Sequence, residues 1–204
     1  MLCVSLPCMD KLDILQKHIS LKVDIDSVDL DRFVAITTTK TIAKGDFFVR
    51  EGQVARYQAF VLKGVLASYS IDTKGEKHVV QIAIEGHWIS DLYSFLSKEP
   101  SEFTVEALEN CELLLMSLEN HERACNEIPV FERFFRLLIQ NALVQHQRRI
   151  SNIYSETAEE RYTKLIREKP EIAQSVPQHY LASFLGIKPQ SLSRIRKQMS
   201  QKTE

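Results

Sequence analysis

Apolar residues recur along this chain with three successive kinds of spacing, and each kind predicts a different structure. Residues 9–20 place Leu12, Leu15 and Ile19 on one face of a short amphipathic helix. From about 33 to 118, short β-branched and aromatic runs alternate with turns rich in Gly, Asp and Lys. Runs of this kind predict antiparallel strands in a sandwich or roll. The runs cover residues 33–42, 47–49, 57–62, 65–71 and 78–84, with one more pair of strands in 106–118 and a helical turn within 89–96.

From about residue 128 the apolar positions follow a helical period. A helix over 129–153 would be roughly 37 Å long. Its main stripe consists of Phe131, Phe135, Leu138, Ala142 and Gln145, with His146 as the alternative to Gln145; Phe134, Leu137 and Ile139 widen it, and Ile150 and Ile153 extend it. Because one roll cannot cover so wide an apolar face, we expect the five stripe residues to form a dimer interface with a second copy. The alternative is a helix packed wholly within its own chain.

A charged amphipathic helix is predicted over 156–169, with Tyr162, Leu165 and Ile166 on its apolar side. Two short helices hinged at Gly186 follow within 178–197. Gly186 can adopt the positive φ that ends the first of them, and Pro189 is tolerated in the first turn of the second. One face is apolar through Leu181, Leu185, Ile187, Leu192 and Ile195, and Ala182 is small where the helices would cross.

This arrangement predicts a DNA-reading helix-turn-helix, because the second helix keeps polar and basic residues on its outer side. The residues left free to contact another molecule are Gln190, Ser191, Arg194 and Lys197. The alternative is an ordinary helical hairpin, whose basic residues are merely solvated.

Charge supports the DNA-binding interpretation. The whole chain of 204 residues has a net charge of −1, whereas residues 155–204 hold nine Lys or Arg and six Glu, a net charge of +3. A basic C-terminal module on an acidic body suits a nucleic-acid partner. The sequence has no long apolar run and no signal-peptide pattern, so we expect a cytoplasmic protein that does not bind membranes. Its four cysteines, Cys3, Cys8, Cys111 and Cys125, are expected to be reduced thiols.

Taken together, these segments resemble the Crp/Fnr family of bacterial transcriptional regulators over nearly the whole chain. Residues 42–53 are similar to the first turn and strand of the family's roll, and residues 60–66 and 72–77 to the next strand and hairpin. Residues 86–92 are similar to the start of its phosphate-binding cassette. The resemblance implies an α+β fold with an N-terminal antiparallel β-roll of jelly-roll, cupin-like type. Its domains would be a sensor roll with a short N-terminal helix at 1–128, a dimerisation helix at 129–153, and a helix-turn-helix domain at 154–204 with little or no wing.

In the family's cyclic-nucleotide receptors, a Glu of this cassette binds the ribose and an Arg neutralises the cyclic phosphate. The matching positions here are Ser90, Asp91 and Leu92 at the start of the cassette, and Ser101 and Glu102 at its end. No Arg occurs from 57 to 122, and several Glu crowd the region, so an anionic ligand would meet like charge. We therefore expect a degenerate effector pocket that does not bind cyclic AMP. Neither the Cys nor the His spacing suggests an iron–sulfur, haem or metal site, so no cofactor or metal is expected.

Carried over position by position, the resemblance assigns base reading to Gln190 and Arg194. Arg pairs well with guanine and Gln with adenine in the major groove. The expected phosphate contacts are Lys188, Ser191 and Lys197 on and before the recognition helix, with Gln178 and His179 at the start of the preceding helix.

The sequence thus predicts a homodimeric transcriptional regulator, not an enzyme, that reads an inverted repeat in double-stranded DNA through a recognition helix at 189–199. RNA polymerase is a further candidate partner. One alternative is a module that senses a cyclic nucleotide or another small molecule, or that binds another protein. A metal-dependent enzyme of cupin type is a more distant one, because no metal-binding His and Glu set has a recognisable spacing. The effector, the target genes and the sign of regulation are left open by the sequence.

Overall fold

A computed structural model describes residues 9–201 of the chain. The helices are α1 Met9–Ser20, α2 Ser27–Ala35, α3 Leu92–Ser97, α4 Leu118–Glu127, α5 Pro129–Ser155, α6 Ala158–Glu168, α7 Pro170–Ser175, α8 Gln178–Phe184 and α9 Pro189–Gln201. The strands are β1 Thr38–Ile42, β2 Phe47–Val49, β3 Tyr57–Lys63, β4 Leu66–Ile71, β5 Lys77–Ala83, β6 Trp88–Ile89, β7 Thr104–Ala107 and β8 Cys111–Ser117.

The strands form two antiparallel sheets of four strands each. The first sheet has the order β1-β8-β3-β6 and the second sheet has the order β2-β7-β4-β5. Their inner faces pack together around a core to which Val61, Leu113 and Leu115 contribute from the first sheet and Leu66 and Ala83 from the second. This is the β-roll that the sequence predicts, and the α+β class is confirmed.

Helices cover the outer face of the first sheet. Phe60 and Leu114 project outward from that sheet into a second core, which α1, α2, α4 and the first turns of α5 complete. Aromatic rings dominate this core, and the rings of Phe33 and Phe131 stack 4.1 Å apart. His18 lies between Phe60 and Phe134, and burial lowers the pKa of its imidazole to about 4. The ring therefore stays neutral at physiological pH and packs as one more aromatic group.

The C-terminal helices cover the outer face of the second sheet. Ala67 and Tyr69 of β4 and Val79 and Ile82 of β5 point away from the roll interior. They share a third core with apolar residues of the four last helices, namely Tyr162 and Leu165 of α6, Ile172 of α7, Leu181 and Ala182 of α8, and Leu192 and Ile195 of α9. Both sheets are therefore covered on both faces, in a stack of helices, sheet, sheet and helices.

One predicted strand is wrong at its start. The run 33–42 is a strand only from Thr38, because Ser27–Ala35 forms α2. Leu30, Phe33 and Val34 follow the spacing of a helix that buries one face. Asp26 caps this helix, since its carboxylate accepts a hydrogen bond from the backbone N–H of Asp29 at 2.8 Å. The N-terminal helix, the helical turn near 92–97 and the long helix lie where the sequence predicts them.

We expect Gly64→Ala to lower the free energy of unfolding by about 2–4 kcal/mol. Gly64 joins β3 to β4 with φ of +96°, and an added Cβ would lie 2.6 Å from the backbone oxygen of Asn110 and 2.7 Å from the Cys111 sulfur. Gly75→Ala is the matched control, because Gly75 also has a positive φ but open space around it. Its cost should be only the backbone strain, about 1–2 kcal/mol. Urea unfolding of both variants measures the difference, and equal losses would contradict the steric explanation.

Candidate nucleic-acid interface and ligand pocket

The turn between α8 and α9 has the hydrogen bonding that a helix-turn-helix needs. Gly186 adopts φ of +67°. Its N–H donates to the carbonyl of Ser183, and the N–H of Ile187 donates to that of Ala182, both at 3.0 Å. This is a Schellman motif, which ends a helix and redirects the chain. Lys188 and Pro189 follow at once, and Pro189 occupies the first position of α9.

Helix α9 has one apolar side and one polar side. Leu192 and Ile195 are buried against α8 and α6. Gln190, Arg194 and Lys197 lie on the opposite side, and all three are exposed. No ion pair among the described residues uses the Arg194 guanidinium or the Lys197 ammonium group. Both charges therefore remain open to an external anion.

The other predicted DNA contacts lie around this face but differ in their surroundings. Lys188 is exposed in the turn, and Ser191 is half-buried beside it. Gln178 is half-buried, and its amide donates a hydrogen bond of 3.4 Å to the carbonyl of Pro189. Gln178 thus links the start of α8 to the start of α9. The exposed His179 packs its ring against the ring of Tyr180 at 4.4 Å.

The predicted dimer interface is wrong in its first half. Phe131 and Phe135 are 0% and 3% exposed in the single chain, because α1, α2 and the first sheet cover them. Leu138 also packs against this core, whereas Ala142 and Gln145 are exposed. The alternative from the sequence, a helix packed within its own chain, is correct for these two phenylalanines.

A different stripe of α5 is open to solvent. Ile139, Leu143, His146 and Ile150 are spaced by four, three and four residues, which is the seam spacing of a two-helix coiled coil. The large apolar side chains of Ile139, Leu143 and Ile150 are 43%, 58% and 55% exposed. We call these four residues the α5 seam. It is displaced by one residue, about 100° around the helix axis, from the five residues predicted to form the dimer interface, and Ile139, His146 and Ile150 are flanking or alternative positions of that prediction. The spacing was visible in the sequence, but the neighbouring phenylalanine stripe is more apolar and has the same spacing.

The cassette residues bind one another rather than leaving an open anion site. Asp91 is only 4% exposed, and its carboxylate accepts hydrogen bonds from the N–H of Ser94 at 3.2 Å and from the hydroxyl of Ser101 at 2.6 Å. Asp91 therefore caps α3. Ser101, one of the two positions at which the resemblance places a phosphate-binding Arg, is 2% exposed. The side chains of Asp91 and Ser101 thus satisfy each other.

The remaining cassette residues lie around this pair. The hydroxyl of Ser90 donates to the carbonyl of Tyr57 at 2.9 Å. Leu92 and Glu102 are exposed. A groove of about 670 Å³ lies beside these residues on the roll, although none of the five cassette residues lines it. The groove is lined by Thr38, Thr39, Lys40, Phe48, Val49, Gln53, Val54, Arg56, Tyr57 and Leu115.

Potential metal ligands come together once within residues 9–201, outside the roll interior. Asp72, Glu76 and His78 meet at the turn between β4 and β5. Asp72 already accepts hydrogen bonds from the backbone N–H groups of Lys74 and Glu76 and pairs with His78 at 2.9 Å. These bonds serve the turn. Cys111 and Cys125 are free thiols, and burial raises the pKa of both. Cys3 and Cys8 lie outside the described residues.

Comparison with known proteins gives the same fold. Residues 39–127 match the family model of the cyclic nucleotide-binding domain. No curated protein matches the chain in sequence. None of the helices within residues 9–201 is long and apolar enough to cross a membrane.

Among solved structures, FixK2 from Bradyrhizobium japonicum is similar with a TM-score of 0.73 and 17% identity, over 82% of this chain and 86% of that one. The global regulator CLP from Xanthomonas campestris has a TM-score of 0.68 and 18% identity, over 87% and 93%. The catabolite activator protein from Thermus thermophilus has a TM-score of 0.56 and 16% identity, over 88% and 85%. Residues 39–127 therefore match the cyclic nucleotide-binding domain family, and the chain has the fold of these three proteins.

Proposed function

We propose that this protein is a homodimeric transcriptional regulator that reads an inverted repeat in DNA and does not respond to cyclic AMP. The observation that carries the proposal is the outer face of α9. Gln190, Arg194 and Lys197 extend from it side by side and are exposed. A planar guanidinium and an amide on one helix face are the groups that read guanine and adenine edges in the major groove.

The structural neighbours support the same class of function. FixK2, CLP and the catabolite activator protein share the fold over more than four fifths of this chain. CLP is described as a global regulator that links cell-cell signalling to virulence gene expression in response to c-di-GMP. At 18% identity or less, these neighbours give the fold, so the proposal for this chain depends on its own α9 face. RNA polymerase as a further partner stays a prediction.

Dimerisation is proposed through the α5 seam. Two copies packed in parallel along α5 would bury Ile139, Leu143 and Ile150 against their equivalents, as in a left-handed two-helix coil. Such burial removes large apolar side chains from water, each contributing about 1.5–3 kcal/mol when fully buried. A dimer with its axis along α5 carries two recognition helices, which an inverted repeat with half-sites about 34 Å apart requires.

The hydrogen bond between Ser101 and Asp91 closes the cassette, and this closed cassette supports the absence of a cyclic AMP response. A cyclic phosphate needs a cation or free N–H donors, and Ser101 offers a hydroxyl that is already bonded to Asp91. Opening this pair would leave the buried Asp91 carboxylate with one hydrogen bond fewer, at a cost of about 1–3 kcal/mol. We infer that the cassette acts as a structural part of the roll.

We expect Arg194→Ala to weaken binding to the preferred operator by about 1–3 kcal/mol. The variant should also lose the base preference at the one position that Arg194 contacts. The operator is first selected from genomic fragments with the wild-type protein, and affinities are then measured by electrophoretic mobility shift. Arg196→Ala is the matched control, because it removes the same charge from the same helix. Arg196 lies about 160° around the helix axis from Arg194.

The control should lose less affinity and keep the base preference. Equal, sequence-independent losses in the two variants would contradict base reading by Arg194. Failure of the wild-type protein to select any sequence would contradict the proposed function as a whole.

We expect Leu143→Glu to convert the dimer to monomers and to weaken self-association on the order of 100-fold. A carboxylate in an apolar seam must give up its hydration without gaining a partner. Asn141→Glu is the control, since Asn141 is exposed on the opposite side of α5. Sedimentation equilibrium measures both. A monomeric wild-type protein, or a dimer that Leu143→Glu leaves intact, would refute the α5 seam.

We expect cyclic AMP at millimolar concentration to leave the thermal unfolding midpoint of the wild-type protein unchanged. A ligand that binds the folded state stabilises it by RT ln(1 + [L]/Kd), so binding at micromolar Kd would raise the midpoint by several degrees. Equal concentrations of 5′-AMP and sodium phosphate control for ionic effects. A rise specific to cyclic AMP would contradict the closed cassette and favour the alternative of a cyclic-nucleotide sensor.

A further inference from the structure

A polar cluster joins the roll to the helix-turn-helix across the outer face of the second sheet. One oxygen of the Glu106 carboxylate, Oε2, accepts three hydrogen bonds of 2.7 Å, from the Tyr69 hydroxyl, the Lys77 ammonium group and the Tyr180 hydroxyl. Lys77 also donates to the Tyr180 hydroxyl at 2.7 Å. Tyr69, Lys77 and Glu106 belong to the roll, whereas Tyr180 belongs to α8. We call these four residues the Glu106 cluster.

The Glu106 cluster is partly shielded from water, so its bonds are stronger than those of a fully exposed ion pair. The Glu106 side chain is 16% exposed and that of Lys77 is 35% exposed. The Lys77 ammonium group also lies 4.3 Å from the centre of the Tyr69 ring. Burial alone would raise the pKa of Glu106, but the three hydrogen bonds outweigh it and leave that pKa below its ordinary value. Burial and the bond to Glu106 raise the pKa of Tyr180, which therefore keeps its proton.

A second contact lies one turn further along α8. Strand β5 is at the edge of the second sheet. The hydroxyl of Ser183 donates to the carbonyl of Lys77 at 2.7 Å and accepts from the N–H of Val79 at 2.9 Å. Ser183 thus takes the place of a neighbouring strand at this point of the edge. Bonds to a strand backbone fix both the position and the rotation of α8.

A third contact adds the long helix to the same joint. The guanidinium of Arg149, in α5, donates to the carbonyls of Val79 at 3.3 Å and Phe184 at 3.4 Å. It also lies over the Phe184 ring, 4.8 Å from its centre. Ile153, one turn further along α5, lies beside Gly186 in the turn before α9, since a Cβ added at Gly186 would be 3.5 Å from its side chain. Strand β5, α5 and α8 therefore meet at one point.

An apolar interface alone would let α8 slide or rotate over the sheet, since hydrophobic contact has little directionality. The three polar contacts remove that freedom. We propose that Tyr180, Ser183 and Arg149 are positioning residues that lock the helix-turn-helix onto the roll of the same chain and so set the direction of the recognition helix. This inference rests on the proposed function, because the direction of α9 matters only when two copies read one operator.

A locked joint has a consequence for DNA recognition. Two rigidly held recognition helices fit one spacing of the half-sites, whereas two loosely held helices accept several. The locked joint also needs no effector to order it, since every bond lies within the chain. The outer face of α9 is exposed in this docked arrangement, so the joint leaves that face free to contact DNA.

The test uses the double variant Tyr180→Phe/Ser183→Ala. It removes two hydroxyls from α8 and keeps the tyrosine ring and most of the packing. Tyr93→Phe/Ser175→Ala is the matched control, which makes the same changes at the exposed Tyr93 and Ser175. Hydrogen exchange of the full-length proteins, read by mass spectrometry, reports on the joint. In the joint variant, exchange should rise at 77–79 and 178–184 by about tenfold or more and stay unchanged in β3 and β8.

DNA binding is then measured on operators whose half-site spacing is shortened or lengthened by one or two base pairs. Wild type and control should lose about tenfold or more in affinity away from the preferred spacing, whereas the joint variant should lose only a few-fold. Mere destabilisation of the helix-turn-helix would lower affinity at every spacing alike. An unchanged spacing preference in the joint variant overturns the positioning role.

The results of this test distinguish a failure of the positioning role from a failure of the proposed function. If exchange at 77–79 and 178–184 is the same in all three proteins, the joint is not held by these bonds and the inference is wrong, whatever the DNA result. If exchange rises as expected but the wild-type protein binds no DNA, the joint exists and the proposed function fails. That result removes the positioning role as well.

Discussion

Burial of the second sheet on both faces is the constraint on which the rest of the structure depends. In β4, four successive residues from Leu66 to Tyr69 are buried, with no alternation between a wet and a dry side. A strand with this pattern needs a packed layer on each face. The first sheet supplies one layer and the C-terminal helices supply the other. Helices α8 and α9 are therefore part of the layer that covers the roll, and this one contact both stabilises and places them.

The long helix α5 makes different contacts in successive parts of its 27 residues. Its first turns bury Phe131, Phe134 and Phe135 in the core over the first sheet. Its middle exposes the α5 seam, and its last turns carry Arg149 to the joint on the far side of the roll. One rigid element therefore links the outer layers of both sheets to the surface proposed for dimerisation.

The sequence was a good guide wherever the local pattern and the tertiary contacts agreed. Leu181, Gly186 and Ile195 predict the two short helices and the turn between them, because turn chemistry and helical spacing are local properties. The pattern failed at Phe33, which belongs both to an apolar run and to a helical spacing, and a helix cap at Asp26 decided between them. It failed again on α5, where two stripes one residue apart have the same period. Only the position of α1 and α2 determines which stripe is covered.

The sequence by itself determined the order of roll, long helix and two short helices hinged at Gly186, and the absence of an arginine from residues 57–122. These follow from residue types and spacings within short segments. The tertiary structure alone decided that Asp91 and Ser101 satisfy each other, that the α5 seam is the open face, and that Glu106 holds Tyr180 from another module. Glu106 and Tyr180 are 74 residues apart. No spacing rule connects residues so distant, because their meeting depends on how two packed layers come together.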